Sequence, residues 1–582
     1  MKMKKIRVAD YIASRCANFG AREVFLVTGG GAMHLNDAFN RHPDLKTTCF
    51  HHEQAASMAA EGYYKINNQP AIVNVTTGPG GINALNGVFG AYVDSCAMII
   101  VSGQVKRDTY SGNFSSALRQ LGDQEVRIVD MAKSIVKYAT VLQDPNQVKA
   151  VMDKALFLST HGRPGPVWID VPVDIQGIQI NEENLIGWDK SDKGSLISDP
   201  SINKNTVLEL KKLENNKTET NVTKLLTRLK RSKRPAILVG TGVRASGMLP
   251  TFRKIADKLG IPVVTGWNAH DSLPDTNELH CGRPGTVGDR AGNFCVQNSD
   301  FLLILGARLN IRQISYNWKQ FAPRAWKAMI DVDLSELQKK TLNINFPVHA
   351  DLKQFLPKME EKLAGYERSK AHLEYLRWCR ERVKKYQVVL PEYSEKSIPI
   401  NPYFFIENLF QQFSEDEIIV TANGAACVIG FQAAKLKNKQ RLFTNSGNAS
   451  MGYDLPAAVG ACIASGGKRV ICIAGDGSIM MNLQELQTIA GNRYPIKIII
   501  INNGGYQSII QTQKTYFPDN QFGTNKYNGL TLPNFIKIEG KECLFTENFI
   551  EKDGKEYEIV MVAEGFSWED ILIYDEDEED DE

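Results

Sequence analysis

Short apolar runs that end in glycine recur along this chain, and each is followed by a helix-like segment. β-Branched residues dominate these runs, as in buried strands, and glycine permits the tight turn that follows. Strands alternating with helices predict parallel sheets whose strands are joined by crossover helices. The clearest runs cover 24–27, 71–75, 237–239 and 470–474. We therefore predict an α/β fold.

The chain's 582 residues exceed what one hydrophobic core supports, so several domains of ordinary size are expected. Two polar stretches, one Lys-rich and one helical at about 366–396, interrupt the pattern. We predict three Rossmann-like parallel-sheet domains and a solvated acidic tail. Their boundaries are 1–185 for the first domain, 186–370 for the second with a Lys-rich linker at 191–234 ahead of its sheet, 371–574 for the third, and 575–582 for the tail.

Composition excludes several classes of protein. No apolar run reaches the roughly 18 residues of a membrane span, and no apolar segment of a secretion signal follows the basic start. A net charge of +2 gives no general electrostatic reason to bind nucleic acid. The ten cysteines include no CxxC pair, which favours reduced thiols. We expect a cytoplasmic protein with no nucleic-acid or membrane partner.

Ligands of open α/β sheets bind at the carboxyl ends of the strands, where these glycine turns lie. The turns could also be plain tight connections. A stronger signal is Asp476, which lies between Gly475 and Gly477 directly after one apolar run. A second apolar run ends at 501 and is followed by Asn502 and Asn503. Carboxylate and amide oxygens suit Mg²⁺, whereas the alternative is two ordinary strand-loop turns.

The Asn503 side chain follows Asp476 by 27 positions, a spacing that resembles the thiamine-diphosphate motif, in which GDG precedes a double asparagine. The resemblance implies that Asp476, Asn503 and the Gly505 carbonyl bind Mg²⁺. It also implies that Gly475, Gly477 and Ser478 contact the diphosphate, since a helix N-terminus favours an anion.

The segment 51–63 reads HHEQAASMAAEGY and resembles the activating-glutamate segment of the acetohydroxyacid (acetolactate) synthase family. Glu53 is the matching residue. In that family this glutamate hydrogen-bonds the cofactor's pyrimidine ring and promotes loss of the C2 proton. The alternative is a helix cap or a surface charge.

Three further segments resemble the same family: 76–83, 165–174 and 450–458. In the last of these, Met451 corresponds to an apolar residue that supports the bent cofactor, although a core methionine is the simpler alternative. The glycine turns add other expected cofactor contacts, which are Gly30, Thr77, Gly78 and Gly424.

The resemblance extends from about residue 6 to about residue 528 and implies a pyrimidine-binding domain, a central domain and a diphosphate-binding domain. It implies a homodimer or homotetramer with active sites at the subunit interface. It also makes FAD a candidate ligand of the central domain, where Gly240-Thr241-Gly242 follows a strand. The family's FDDR tract is replaced here by Leu309-Asn310-Ile311-Arg312.

The family resemblance implies decarboxylation of a 2-keto acid, pyruvate, followed by carboligation to a second carbonyl compound. Gln124 and Lys137 resemble catalytic residues at the family's substrate entrance. Lys133 and Lys137 could instead form one exposed helix face. The segment 119–125 lacks the His-His pair of pyruvate-type decarboxylases.

Departures from a biosynthetic synthase predict a more polar acceptor pocket: Asp123 replaces an aromatic residue, Thr512 a tryptophan, and Ala425-Ala426 a GQH tract. A carboligase that adds an acetyl unit to a keto-sugar nucleotide is therefore one alternative to acetolactate formation. A simple decarboxylase and an inactive homologue are others. The segment 539–574 reads as short strands without family resemblance and leaves full activity open.

Overall fold

The fold consists of three α/β units, each built on a sheet whose strands are wholly or mostly parallel. It is known from a computed structural model that describes residues 5–114, 118–189, 193–209, 217–394, 400–533 and 535, and three strands at 545–552, 555–562 and 571–575. The predicted fold class is confirmed. Residues 576–582 of the predicted acidic tail lie outside the described residues.

The N-terminal unit has six parallel strands and one short antiparallel pair. The strands are β1 (Lys5–Arg7), β2 (Glu23–Leu26), β3 (Lys46–Cys49), β4 (Ala71–Val75), β5 (Met98–Gln104), β6 (Tyr138–Val141), β7 (Pro166–Pro172) and β8 (Gln179–Asn181). The helices are α1 (Val8–Phe19), α2 (Met33–Arg41), α3 (Glu53–Asn67), α4 (Pro79–Val93), α5 (Ile128–Ala132), α6 (Val148–Thr160), α7 (Val173–Gln176), α8 (Lys193–Ser198) and α9 (Lys204–Glu209). The parallel sheet has the order β3-β2-β4-β5-β7-β6, and β1 pairs with β8.

The central unit has five parallel strands in the order β10-β9-β11-β12-β13. They are β9 (Pro235–Val239), β10 (Val263–Thr265), β11 (Phe301–Leu305), β12 (Trp326–Asp331) and β13 (Phe346–His349). The helices are α10 (Thr218–Lys230), α11 (Gly242–Ala245), α12 (Leu249–Leu259), α13 (Arg290–Asn298), α14 (Ile311–Ile314), α15 (Leu334–Gln338), α16 (Leu352–Lys362) and α17 (Lys370–Lys385).

The C-terminal unit has seven strands in the order β15-β14-β16-β17-β20-β19-β18, of which β18 and β19 are antiparallel to their neighbours. They are β14 (Ile418–Thr421), β15 (Arg441–Phe443), β16 (Val470–Gly475), β17 (Ile496–Asn502), β18 (Phe545–Lys552), β19 (Lys555–Val562) and β20 (Ile571–Asp575). The helices are α18 (Pro402–Gln412), α19 (Ala425–Ala433), α20 (Asp454–Ala464), α21 (Asp476–Ile479), α22 (Glu485–Asn492) and α23 (Gln507–Tyr516).

All three sheets share one feature of strand order. In each, the first strand of the unit's parallel sheet lies between the second and the third, as in β3-β2-β4, β10-β9-β11 and β15-β14-β16. The connections that leave such neighbouring strands run in opposite directions, so a crevice opens at their carboxyl ends. The fold therefore offers three ligand crevices, at β2/β4, β9/β11 and β14/β16.

Close helix packing joins the N-terminal and C-terminal units. Gly62 of α3 lies against the backbone of Ala457 on α20, and Gly460 of α20 lies against the backbone of Ala59 on α3. A β-carbon at either glycine would overlap the facing carbonyl oxygen. Both helices contribute buried side chains to one shared apolar core, so the two units are packed as a single body.

Two segments differ from the predicted organisation. Helix α10 lies inside the predicted linker, yet its Val222, Leu225 and Leu229 are buried in the central core. Helix α17 falls at the start of the predicted third domain, yet it packs on the central unit, where the Tyr375 hydroxyl donates to the Cys295 carbonyl at 2.5 Å. Polar and charged residues together dominate the sequences of both helices and obscure their apolar faces.

Among the described residues, no helix is both long and apolar enough to cross a membrane. Nine cysteines lie in this part of the chain, and all nine are free thiols. Eight of them are buried, and only Cys49 is exposed.

Candidate functional site

The N-terminal crevice is formed by two turns that follow β2 and β4. Gly29 and Gly31 of the first turn lie against Thr76 and Thr77 of the second, and a β-carbon on either glycine would overlap a threonine side chain. The hydroxyls of Thr76 and Thr77 are buried and have no hydrogen-bond partner among the described residues. Gly30 faces open space. The crevice therefore offers polar groups and room for a ligand.

Glu53 is the first residue of α3 and lies at this crevice. The His52 side chain caps the helix by accepting from the Gln54 amide at 3.0 Å, which fixes where the helix begins. The Asn83 side-chain amide of α4 donates to Glu53 Oε2 at 3.0 Å, and a β-carbon at Gly80 would lie 3.2 Å from Oε1. Among the described residues the carboxylate is thus held by one hydrogen bond, and Glu53 as a whole is only 9% exposed.

Gln124 lies at the N-terminal crevice because its backbone packs against Gly78. Gly78 caps α4 with a φ of 67°, and Pro79 occupies the first turn, where its missing N–H costs nothing. A β-carbon at Gly78 would overlap the Gln124 carbonyl oxygen. The structure therefore brings together Gly30, Glu53, Thr77, Gly78 and Gln124, the N-terminal cluster.

Asp476 begins α21 at the C-terminal crevice. Its carboxylate accepts from the Gly477 amide at 2.6 Å and from the Gly505 amide at 2.8 Å, which ties the ends of β16 and β17 together. Burial raises the pKa of the Asp476 carboxyl to about 6, against these hydrogen bonds. A bound cation would favour the ionised form and reverse that shift.

The side chain of Asn503 shows whether the residues at this crevice fit a metal ion. Its side-chain oxygen Oδ1 is buried and accepts no hydrogen bond from the described residues, an arrangement that costs free energy unless a ligand completes it. Gly505 has a φ of 135°, and its carbonyl accepts from Gln507 at 3.1 Å, which leaves one lone pair. With Asp476, these groups form an all-oxygen donor set that fits Mg²⁺.

A loop from 445 to 452 carries Met451 and is bonded to Ser478 in the turn that Asp476 begins. The Asn423 amide at the end of β14 donates to Asn445 at 2.5 Å and to the Ser450 carbonyl at 2.8 Å. Ser478 accepts from the Gly452 amide at 2.9 Å, so the loop is fixed from both neighbouring strands. The asparagines were missed from the sequence, where only their position after apolar runs could have drawn attention.

The C-terminal cluster unites the remaining predicted cofactor and metal residues. Gly424 caps α19 with a φ of 101° and faces open space, as does Gly475. Gly477 packs under the Tyr506 ring, where a β-carbon would overlap it. The members of the cluster are Gly424, Met451, Gly475, Asp476, Gly477, Ser478, Asn503 and Gly505.

Lys137 belongs to neither cluster. Its side chain is buried, and its ammonium donates to the carbonyls of His161 and Arg163 at 2.6 Å each and pairs with Glu209 at 2.9 Å. All three donor hydrogens are therefore committed. This corrects the sequence prediction of a cation at the substrate entrance, and also the alternative of an exposed helix face, because α5 ends at Ala132.

The central crevice opens into a cavity of about 890 Å³ at the ends of β9 and β11. Gly240, Gly242 and Gly306 line it, and Gly242 approaches Gly306 too closely for a side chain on either. Asp331, at the end of β12, also lines the cavity, and burial raises the pKa of its carboxyl to about 7. An acidic group was not found here from the sequence, because Asp331 is far from the glycine turn along the chain.

Family models match all three units. They are described as the N-terminal TPP binding domain, the central domain and the C-terminal TPP binding domain of thiamine pyrophosphate enzymes. The matched residues are 6–128, 222–359 and 422–541, so each match contains one of the three crevices.

Relatives are similar along most of the chain. The acetolactate synthase large subunit of Lactococcus lactis subsp. lactis (strain IL1403) is 30% identical over 523 residues, which cover 89% of this chain and 85% of the relative. The probable chloroplastic acetolactate synthase 2 of Oryza sativa subsp. japonica is 29% identical over 91% of this chain and 77% of its own. The protein thus belongs to the thiamine-diphosphate-dependent enzymes of the acetolactate synthase family.

Proposed function

We propose that the enzyme decarboxylates a 2-keto acid, pyruvate, and transfers the resulting two-carbon unit to a second carbonyl compound, with Mg²⁺ holding thiamine diphosphate. The proposal depends on one observation, the presence of two crevices with complementary groups. Glu53 lies at one crevice. At the other, near Asp476, lies the buried Asn503 Oδ1 atom, which accepts no hydrogen bond from the described residues. Bound thiamine diphosphate would supply a carbon nucleophile for the keto carbonyl and a cationic ring that takes up the C–C bond electrons when carbon dioxide leaves.

Glu53 would exchange a proton at Oε1 with a pyrimidine nitrogen of the bound cofactor and thereby promote loss of the C2 proton. Its Oε2 accepts from Asn83, whereas Oε1 faces the small Gly80 and, in the part of the chain that the structure describes, accepts no hydrogen bond, which leaves it available to a ring nitrogen. A buried carboxylate with one oxygen committed has a fixed orientation, which general acid-base catalysis requires. Asn83 thereby aims Glu53 into the crevice.

Asp476, Asn503 and the Gly505 carbonyl would hold Mg²⁺, and the open faces of Gly475 and Gly424 admit a diphosphate to the backbone. Ser478 fixes the Met451 loop by accepting from Gly452 and donating to Asp454 at 2.7 Å. Met451, half-buried on that loop, is the apolar support for the cofactor.

The active enzyme is proposed to be a homodimer or homotetramer in which partner chains complete each site. No hydrogen bond joins Glu53 to Asp476 within the described residues. Apolar side chains are exposed near both clusters, namely Ile82 and Phe89 on α4, and Met480 and Met481 after α21. Such faces are typical of subunit interfaces. The free thiols support a reducing compartment, the cytoplasm.

The acceptor is proposed to be a second keto acid, as in acetolactate formation, and a keto-sugar nucleotide is the second candidate. Asp123 favours the second candidate. It is exposed beside Gln124, where its charge would repel an acceptor carboxylate and its oxygens would accept from hydroxyls.

Incubation of the protein with pyruvate, thiamine diphosphate and Mg²⁺, with and without a keto-sugar nucleotide, tests the function. Acetolactate alone supports the first acceptor and a branched sugar the second. Acetaldehyde alone indicates a simple decarboxylase, and no carbon dioxide indicates an inactive homologue.

Glu53→Gln should lower carbon dioxide release by about 10²–10⁴-fold, while Glu182→Gln, which changes an exposed carboxylate of the same unit, should not. Unchanged turnover by Glu53→Gln would overturn the activation mechanism.

A dinucleotide, FAD, is proposed for the central cavity. Three features support it: the glycine turn at β9 and the close approach of Gly306, both at the β9/β11 switch point, and the acidic group of Asp331, which lines the same cavity from the end of β12. Asn310 in the divergent segment caps α14, so this tract retains a structural role. Visible flavin absorbance in the purified protein tests the assignment, and its absence after reconstitution with FAD would overturn it.

A further inference from the structure

Glu125 is a buried carboxylate outside both clusters, and it is only 3% exposed. It accepts from the Ser111 amide at 2.7 Å, from the Leu121 amide at 2.8 Å and from the Gly122 amide at 3.1 Å. The Ser111 hydroxyl also donates to it. Burial opposes ionisation, but these bonds outweigh it and lower the pKa of Glu125.

The bonds from Leu121 and Gly122 close a short loop, which we call the Gln124 loop and define as residues 118–126, and the two bonds from Ser111 tether this loop to the rest of the unit. Two side-chain amides secure the loop further. Gln120, inside the loop, donates to the Glu125 carbonyl at 3.2 Å, and Gln104, outside it on β5, donates to the Val126 carbonyl at 2.8 Å. Among the described residues, Glu125 is held by these hydrogen bonds and forms no ion pair. A carboxylate at the centre of so many donors fixes backbone positions.

Gln124 is strained in this loop. Its φ is 59°, in the left-handed region that non-glycine residues seldom adopt, and its carbonyl oxygen lies so close to Gly78 that a β-carbon there would overlap it. This conformation costs free energy in a residue that has a side chain, so surrounding bonds must hold it. The neighbouring Glu125 supplies those bonds.

We propose that Glu125 is a positioning residue, which holds Gln124 against the Gly78 turn so that the Gln124 side chain faces the 2-keto acid beside Glu53. The proposal rests on the proposed function. Glu125 itself does not touch the reacting atoms. Its anionic charge matters because every partner is a donor, and a neutral amide at this position would direct its own N–H groups at N–H groups.

The test compares Glu125→Gln with Gln124→Ala and with the double variant. Because Glu125 acts through Gln124, Glu125→Gln should lower kcat/KM for pyruvate by about 10- to 100-fold. When Glu125→Gln is added to Gln124→Ala, kcat/KM should change by less than about twofold relative to Gln124→Ala alone. Additive losses, or an unchanged kcat/KM, would overturn the proposal.

Two readouts on the apoprotein separate positioning from folding. Hydrogen exchange should accelerate at the Leu121 and Gly122 amides in Glu125→Gln, while the melting temperature and thiamine diphosphate affinity stay near those of the wild type. Glu417→Gln is the matched control, since Glu417 is equally buried but lies beside the opposite, amino end of β14 and pairs with Arg469 at 2.6 Å.

Ser111→Ala removes only the hydroxyl donor and keeps the experiment informative if Glu125→Gln does not fold. It should give a smaller loss of kcat/KM that again disappears in the Gln124→Ala background. If the wild type releases no carbon dioxide from pyruvate, the proposed function fails. The hydrogen-exchange measurement still decides whether Glu125 holds the Gln124 loop. Unchanged exchange at the Leu121 and Gly122 amides in both Glu125→Gln and Ser111→Ala would exclude that role of Glu125.

Discussion

At the residue scale, Asp476 shows how a buried carboxylate can prepare a cation site. Two backbone amides fix its oxygens, yet burial raises its pKa, so the site is destabilised without a cation. The unpartnered Asn503 oxygen adds to that cost. Ligand binding would relieve both penalties.

Asp476→Asn should therefore weaken Mg²⁺-dependent binding of thiamine diphosphate by about 100-fold or more, because an amide supplies neither the charge nor both oxygens. Isothermal titration with cofactor and Mg²⁺ checks this outcome. Asp519→Asn, an exposed residue of the same unit, is the control. Equal affinities in the two variants would contradict the assigned metal set.

Asp170 is a fully buried carboxyl in the core of the N-terminal unit. It accepts from Ser102 at 2.6 Å and from Gln104 at 2.8 Å, but burial prevails and raises its pKa to about 7. The folded state then keeps a proton that the unfolded state has lost. This contribution to stability is complete below the unfolded pKa of about 4 and is lost as the pH rises through about 7.

The free energy of unfolding of Asp170→Asn should accordingly fall less steeply between about pH 4 and about pH 7 than that of the wild type. The difference in slope approaches about 1.4 kcal/mol per pH unit, which corresponds to one proton. Urea titrations of the apoprotein across this range measure it. Parallel slopes for the two proteins would refute the buried, protonated state.

At the element scale, the contact between α3 and α20 depends on glycine at the crossing point. Gly460→Ala should destabilise the protein by about 1–3 kcal/mol, because the new methyl group overlaps the Ala59 carbonyl and forces the helices apart. Chemical denaturation measures the loss.

The matched control is Gly491→Ala, at an exposed helical glycine of α22 where the new methyl meets only the flexible Gln487 side chain at 3.6 Å. Alanine is the better helix former, so this variant should gain about 0.5–1 kcal/mol. If both substitutions changed the free energy of unfolding in the same direction, close packing would not explain the glycine at position 460.

At the scale of the whole molecule, helix α4 has an apolar face that is exposed in the single chain and that we propose lies in the subunit interface. Phe89, 37% exposed, lies two turns after Ile82 on this face. Phe89→Asp should shift the protein toward monomers by at least about tenfold in dissociation constant, because an aspartate would be desolvated at the interface. Sedimentation velocity measures this shift.

Tyr316→Asp is the control for that experiment, since Tyr316 is 82% exposed on the central unit and away from both clusters. It should leave the oligomeric state unchanged. A Phe89→Asp protein that sediments like the wild type would exclude α4 from the subunit interface.

The sequence alone determined the fold class, the glycine turns and the candidate residues from Asp476 to Asn503. These features are local: strand periodicity, a turn that requires glycine, and polar residues directly after an apolar run can all be read within a few positions. Glu53 was reached through family resemblance rather than through spacing.

Only the tertiary structure decided which distant residues meet. It buried Lys137 with Glu209, assigned α17 to the central unit, and surrounded Glu125 with donors from Ser111 and Leu121. Such partnerships depend on strand order and on how crossover helices pack, and these are set by the whole hydrophobic core rather than by any one segment. The crevices exist because each sheet places its first strand between the second and the third, and no single motif specifies that order.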